Sequence, residues 1–245
     1  MIEVDNLAKH FGPVRAVDGI SFGAAEGEVL GLLGPNGAGK TTTLRMLSTV
    51  LRPSAGNARV GGHDLIREPA AVRAALGVLP EYWGLYGRLT PREHLRYFGR
   101  LYGMDGDRLE RRIDEVVALL EIGEYSERRC EPFSKGMKQK VALGRALIHD
   151  PRHLLLDEPT AGLDVMSARS VREVIARFRD EGRCVILSTH ILAEAERLCD
   201  RLALIDHGRI VASGSPEDLR RQTGRETLEE AFVALVGEPT AEVGA

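Results

Sequence analysis

The chain is poor in cysteine, lysine, aromatic residues and long apolar runs, and each shortage narrows what it can be. Its three cysteines, Cys130, Cys184 and Cys199, are odd in number and lack metal-ligand spacing, which argues against a disulfide scaffold or a zinc cluster and fits a reducing compartment. No run approaches the ~20 apolar residues that span a bilayer, and the N-terminus shows no basic-then-apolar signal pattern. A net charge of -3 provides no basic footprint, so nucleic acid is not an expected partner. Lysine is the most informative shortage, because 28 arginines stand against only five lysines. A lysine kept in such a chain marks a position where a compact point charge serves better than the planar guanidinium fork.

One of the five, Lys40, sits in Gly34-Pro35-Asn36-Gly37-Ala38-Gly39-Lys40-Thr41, which fills every fixed position of G-x-x-x-x-G-K-[ST]. The apolar run Val29 to Leu33 precedes it and a helical pattern opens at Thr42, Leu44, Met46 and Leu47. This strand, loop and helix order is the context a phosphate-binding loop requires. Glycines let backbone N–H groups turn toward phosphates, and the following helix points its positive end at them. Lys40 would reach the outer phosphates of a nucleotide and Thr41 would hold magnesium.

A second apolar strand, His153 to Leu156, ends in Asp157 and Glu158, as expected where a buried parallel strand delivers residues to the carboxyl edge of a sheet. Asp157 suits a second magnesium contact, direct or through water, and Glu158 is the candidate to orient or deprotonate an attacking water. Between the two lies Ser134-Lys135-Gly136-Met137-Lys138-Gln139. Ser134 is a good N-cap for a helix whose apolar positions Val141, Leu143, Ala146, Leu147 and Ile148 run to a stop at Asp150-Pro151. Free backbone donors, the Ser134 hydroxyl and Gly136 for close approach make a second phosphate site. The simplest use of two such sites is a dimer in which each chain's second site closes over the nucleotide held by the other.

In this order the motifs resemble the ATP-binding subunit of ABC transporters over about residues 2–236. The resemblance implies an α/β fold of the P-loop NTPase, RecA-like kind: an ABC ATPase core with a helical subdomain inserted at about residues 85–150 and a small N-terminal β region. Gly34 to Thr42 match the family's Walker A, Ser134 to Gln139 its signature, and Asp157 with Glu158 its Walker B and catalytic glutamate. Phe11 falls where the family stacks an aromatic on adenine, although a place in the core is the competing reading. Ala161-Gly162-Leu163-Asp164 match the loop that crosses the dimer, and His190, after Ser188-Thr189, matches the switch histidine that holds the attacking water with Glu158. ATP and magnesium are the implied cofactors. A second ATPase subunit, forming a homodimer, and an integral membrane permease are the implied partners, at the cytoplasmic face of the membrane. A soluble ABC ATPase acting in DNA repair or translation is the alternative, without the paired units or coiled-coil insertion such proteins carry.

Two positions depart from the family's commonest pattern. Glu81 stands where a glutamine is usual, after Leu76-Gly77-Val78-Leu79-Pro80. Two negative charges ~4 Å apart repel by roughly 4 kcal/mol at an effective dielectric of 20. The carboxylate must therefore bind magnesium, be screened by a cation, or point away. Lys135 replaces the usual glycine, either as a cation beside a partner's nucleotide or as a solvated side chain. Gly84 to Thr90, the S-K-G-M signature and Thr227 to Phe232 are similar to ATPase subunits of bacterial type-2 exporters, including sodium and drug or antibiotic export systems. Tyr82, Trp83, Leu85 and Tyr86 are placed either to meet a permease or to form a joint between subdomains. The capping box of Thr227 and Glu230 begins a last helix that packs on the core or joins a dimer contact, and residues 237–245 read as a flexible tail.

Overall fold

A computed structural model describes residues 1–82 and 84–237; Trp83 and the tail positions 238–245 named above lie outside the described residues. The chain begins with β1 (Ile2–Phe11) and β2 (Val14–Ala24), followed by β3 (Val29–Leu33), α1 (Lys40–Leu47), β4 (Ala55–Val60) and β5 (His63–Asp64). Helix α2 (Pro69–Ala75) leads into β6 (Leu76–Leu79), and a helical stretch follows with α3 (Pro91–Leu101), α4 (Gly106–Leu119) and α5 (Lys135–Leu147). Strands and helices then alternate through β7 (His153–Asp157), α6 (Val165–Asp180), β8 (Cys184–Thr189), α7 (Leu192–Leu198) and β9 (Arg201–Asp206). The chain continues through β10 (Arg209–Gly214), α8 (Pro216–Thr223) and α9 (Leu228–Val236).

Strands β2-β1-β4-β5 form an antiparallel sheet, and β10-β9-β3-β8-β7-β6 form a second sheet, parallel except for β10. Every residue of β3, β7 and β8 is buried, as near-continuous Leu, Ile and Val runs predict for strands covered on both faces. Their side chains alternate between two cores. Leu33, Leu154, Leu156, Val185 and Leu187 face a core shared with α3 to α7 and α9. Leu30, Leu32, Leu155 and Ile186 face one shared with α1 and the antiparallel sheet. Each such side chain contributes about 1.5–3 kcal/mol on burial, so a one-residue slip of any central strand would exchange both layers at once.

The parallel register aligns the strand ends. Leu33 pairs with Thr189, Asp157 with Ser188 and Leu79 with Leu156, so the residues that follow β3, β6, β7 and β8 emerge at one carboxyl edge. Helix α3 starts in a capping box of Thr90 and Glu93 with Pro91 at its first turn, where the missing N–H costs nothing. The capping box of Thr227 and Glu230 forms as well, and α9 buries Leu228 and Ala231 and lays Phe232 and Leu235 on the larger core. The three cysteines are free and buried. Burial pushes all three thiols up, Cys130 and Cys184 to about 11, so they act as small apolar side chains. Among the described residues no helix is long and apolar enough to cross a membrane.

Candidate functional site

The loop between β3 and α1 is shaped by positions that admit no side chain. A Cβ at Gly34 would stand 2.1 Å from the Ile205 carbonyl oxygen. Gly39 has φ +109, and a Cβ there would meet the Ala16 carbonyl at 2.5 Å. Ala38 is buried and closes the turn by donating to Pro35 O at 3.2 Å. The first helical bond of α1 runs from Thr43 N to Gly39 O, which leaves the N–H groups before it for a ligand.

Lys40 is 6% exposed and donates from Nζ to the carbonyls of Gly34 at 2.7 Å and Pro35 at 3.1 Å. Its Nζ lies 3.9 Å from Glu158 Oε1. Burial holds its ammonium below the ordinary lysine range, and the charges of Glu158, Asp157 and Glu81 act against that shift. Thr41 Oγ1 donates to Asp157 Oδ1 at 3.1 Å, and Ser188 Oγ donates to the same oxygen at 2.5 Å. Ser188 also accepts from the Glu158 N–H, through Oγ at 3.0 Å and through its carbonyl at 3.2 Å. Glu158 has φ +50, a left-handed conformation that a non-glycine residue holds only when its surroundings impose it. Across the cavity mouth, His190 Nδ1 stands 2.9 Å from Glu158 Oε1, with the imidazole half exposed.

These groups surround a cavity of about 380 Å³. Asn36, Gly37, Gly39, Lys40, Thr41 and Thr42 form its floor, and Glu81, Glu158, Ala161 and His190 form the rest of its wall. Glu81 is exposed and lines this cavity, close enough for its charge to act on Lys40. A polyphosphate fits the open N–H groups and the buried lysine. A small divalent cation fits the donor set as well, since Thr41 and Asp157 offer adjacent hard oxygens. No group of three His, Cys, Asp or Glu side chains among the described residues could hold a metal by itself, so such a cation would take part of its shell from the substrate phosphates.

Of the sequence-selected residues, Gly34, Pro35, Ala38 and Asp157 lie behind the lining of this cavity, and Phe11, Ser134 and Gly136 form no part of it. Phe11 ends β1 with 47% of its surface exposed and Lys9 Nζ 5.2 Å above its ring; a place in the core is thereby excluded. Ser134 is exposed and caps α5 by accepting from Met137 N at 3.2 Å. Gly136 is buried, and a Cβ there would lie 2.2 Å from Ser167 Oγ, so its missing side chain admits α6 rather than an open approach. Sequence reading overlooked the role of Ser188, whose hydroxyl joins the two acidic residues. The available signal was its register opposite Asp157, and register is a property of the paired strands.

A family model described as ABC transporter matches residues 17–161. Over 222 residues the chain is 43% identical to the ABC transporter ATP-binding protein NatA of Bacillus subtilis, covering 90% of each. Over 227 residues it is 40% identical to the daunorubicin/doxorubicin resistance ATP-binding protein DrrA of Streptomyces peucetius, covering 93% of this chain and 69% of that one. A solved ATP-binding subunit of an ABC transporter superposes with a TM-score of 0.87 at 34% identity, covering 96% of this chain and 99% of that one. A dimeric ATP-binding cassette bound to ADP and Pi shares the fold, with a TM-score of 0.79 at 22% identity and coverage of 88% and 98%.

Proposed function

The chain belongs to the ABC transporter family as an ATP-binding subunit that hydrolyses ATP to drive transport, and from that premise we propose the part each residue plays. The loop Gly34 to Thr42 holds the phosphates, with Lys40 against the outer ones. Thr41 and Asp157, with Glu81 nearby, hold magnesium, which when bound neutralises phosphate charge as it develops. Glu158 accepts a proton from the attacking water or orients it, and His190 keeps that carboxylate and the terminal phosphate in one geometry. The observation that carries this reading is the chain of contacts from His190 through Glu158 to Lys40.

Phe11, exposed at the end of β1, offers adenine a flat apolar face. Ser134 and Gly136 stand at the start of a helix and line no part of the cavity in their own chain, which supports their acting on the nucleotide of a second copy of this chain. Closure of that homodimer depends on the terminal phosphate, so hydrolysis removes the reason to stay closed. The chain works at the cytoplasmic face through an integral membrane permease, and the drug-resistance names among its relatives favour export. The ATP-binding domain covers residues 2–236 with its helical part at about 85–150, and the exposed Tyr82 and Tyr86, where the chain enters that part, are placed to receive the permease.

The test is affinity purification of the Glu158→Gln variant from detergent-solubilised native membranes with ATP and magnesium. Recovery of a multi-span membrane protein is the expected result. Recovery of a soluble dimer with nucleic acid or ribosomes would replace the transporter reading with the soluble alternative.

A further inference from the structure

Helix α5 grips the segment after Glu158 at three points. Gln139, only 2% exposed, donates its side-chain amide to the Pro159 carbonyl at 2.6 Å. Lys135 lies across Gly162, where a Cβ would stand 2.4 Å from the ammonium nitrogen and where φ is +65. Gly136 admits Ser167, whose hydroxyl donates to Asp164 Oδ2 at 2.7 Å, while Asp164 Oδ1 accepts from Met166 N and Ser167 N to begin α6. Inside the segment, the bonds from Ala161 N to Glu158 O and from Leu163 N to Thr160 O are short local turns.

Glu158 thus sits between two anchors. On its N-terminal side, Ser188 accepts from the Glu158 N–H. On its C-terminal side, Pro159 has no N–H to offer, and its carbonyl is held by the buried Gln139 amide. A left-handed glutamate needs such bracketing to persist.

We infer that Gln139 is a positioning residue for hydrolysis: by holding the Pro159 carbonyl it sets the Glu158 carboxylate against Lys40 and His190, and it makes Glu158 move with α5. The exposed Ser134 end of α5 is the surface assigned above to the partner's nucleotide. Gln139 then links one nucleotide site of a dimer to the other. This inference rests on the assignment of Glu158 to hydrolysis.

The test compares the full chain carrying Gln139→Met, which keeps the volume and removes the donor, with Gln139→Glu. Fluorescent-nucleotide titration and ATP turnover are measured on each, and turnover is expressed per bound nucleotide. For Gln139→Met, nucleotide affinity stays within about twofold. Turnover per bound nucleotide falls roughly 10- to 100-fold, the scale of a small misplacement of a reacting group. The Hill coefficient for ATP falls toward one. For Gln139→Glu, a protonated acid donates to the Pro159 carbonyl as the amide does, whereas the ionised form repels it. Its turnover relative to the parent chain therefore recovers as pH is lowered, since burial raises a carboxylic acid's pKa.

Turnover per bound nucleotide within about twofold of the parent in Gln139→Met would overturn the inference. If that variant does not fold, a flat pH ratio for Gln139→Glu overturns it instead. Parent-like turnover in Glu158→Gln is a separate result, which would sink the underlying assignment and not the Gln139 contact.

Discussion

His190 Nδ1 stands 2.9 Å from Glu158 Oε1, and the same carboxylate oxygen lies 3.9 Å from Lys40 Nζ. One oxygen is therefore shared between a half-exposed imidazole and a buried ammonium, so the glutamate has no freedom to turn without breaking a contact on one side. Groups coupled in this way act as a unit. Glu158→Gln and His190→Ala are each expected to lower ATP turnover by roughly 100-fold or more, and the double variant is expected to lose little beyond the worse single one. Steady-state ATPase assays on all three variants check this, and full additivity would refute the coupling. Nucleotide binding by Glu158→Gln should remain, because Lys40 and the loop are untouched.

Ser188 is fully buried and its hydroxyl serves both Asp157 and the Glu158 backbone. Ser188→Ala removes one of the two donors to Asp157 Oδ1 and one of the two acceptors of the Glu158 N–H. The expected cost is about 1–3 kcal/mol of folding stability, read from the denaturant midpoint at unchanged slope. Turnover should fall further than stability explains, since the N-terminal anchor of Glu158 is reduced to the single bond to the residue 188 carbonyl.

Glu81 lines the same cavity as Lys40 and helps keep that ammonium charged. Removing its charge with Glu81→Gln should weaken divalent-cation affinity in the nucleotide complex. The half-saturating magnesium concentration is expected to rise several-fold, on the order of the 1 kcal/mol or so that one partly screened charge supplies. Titration of manganese by electron paramagnetic resonance, with a non-hydrolysable ATP analogue, reads this without turnover. An unchanged titration would remove Glu81 from the cation site.

Acid should destabilise the fold through two histidines. His94 donates from Nε2 to Tyr86 O at 3.1 Å and His149 from Nε2 to Leu76 O at 3.0 Å, while each Nδ1 is buried without a partner among the described residues. Burial, the largest cause, lowers both pKa values below the ordinary 6.5. The unfolded chain then binds more protons than the folded one below about pH 6.5, so stability is full above that pH and is lost as pH falls toward the lowered folded values. Melting temperatures from pH 8 to 5 should decline below about 6.5, and His149→Gln should flatten part of the decline. An equal slope in that variant would count against the assignment.

Much of this site was legible before any fold was known, because its parts are local. Gly34 to Thr42 needs only a turn and a helix start to be recognised, although Gly34 and Gly39 are also held to glycine by the Ile205 and Ala16 carbonyls of neighbouring strands. The pair Asp157 and Glu158 announces itself as charge at the end of an apolar strand. Other features were ambiguous for a physical reason. Phe11 reads as core or as exposed platform until the edge of its sheet is known, and its 47% exposure decides the matter. Gly136 was read as an opening toward phosphate, yet within the chain it is the seat of Ser167.

By itself, the sequence determined the chemistry available: a lysine and threonine after a glycine loop, two carboxylates, a histidine, and the order in which they occur. Tertiary structure decided their geometry. The hydroxyl of Ser188 reaches Asp157 only because β7 and β8 pair in one register, and Gln139 reaches Pro159 only because α5 packs beside the loop after β7. Strand register and helix packing are set by burial summed over two whole cores, and no short stretch of residues contains that sum.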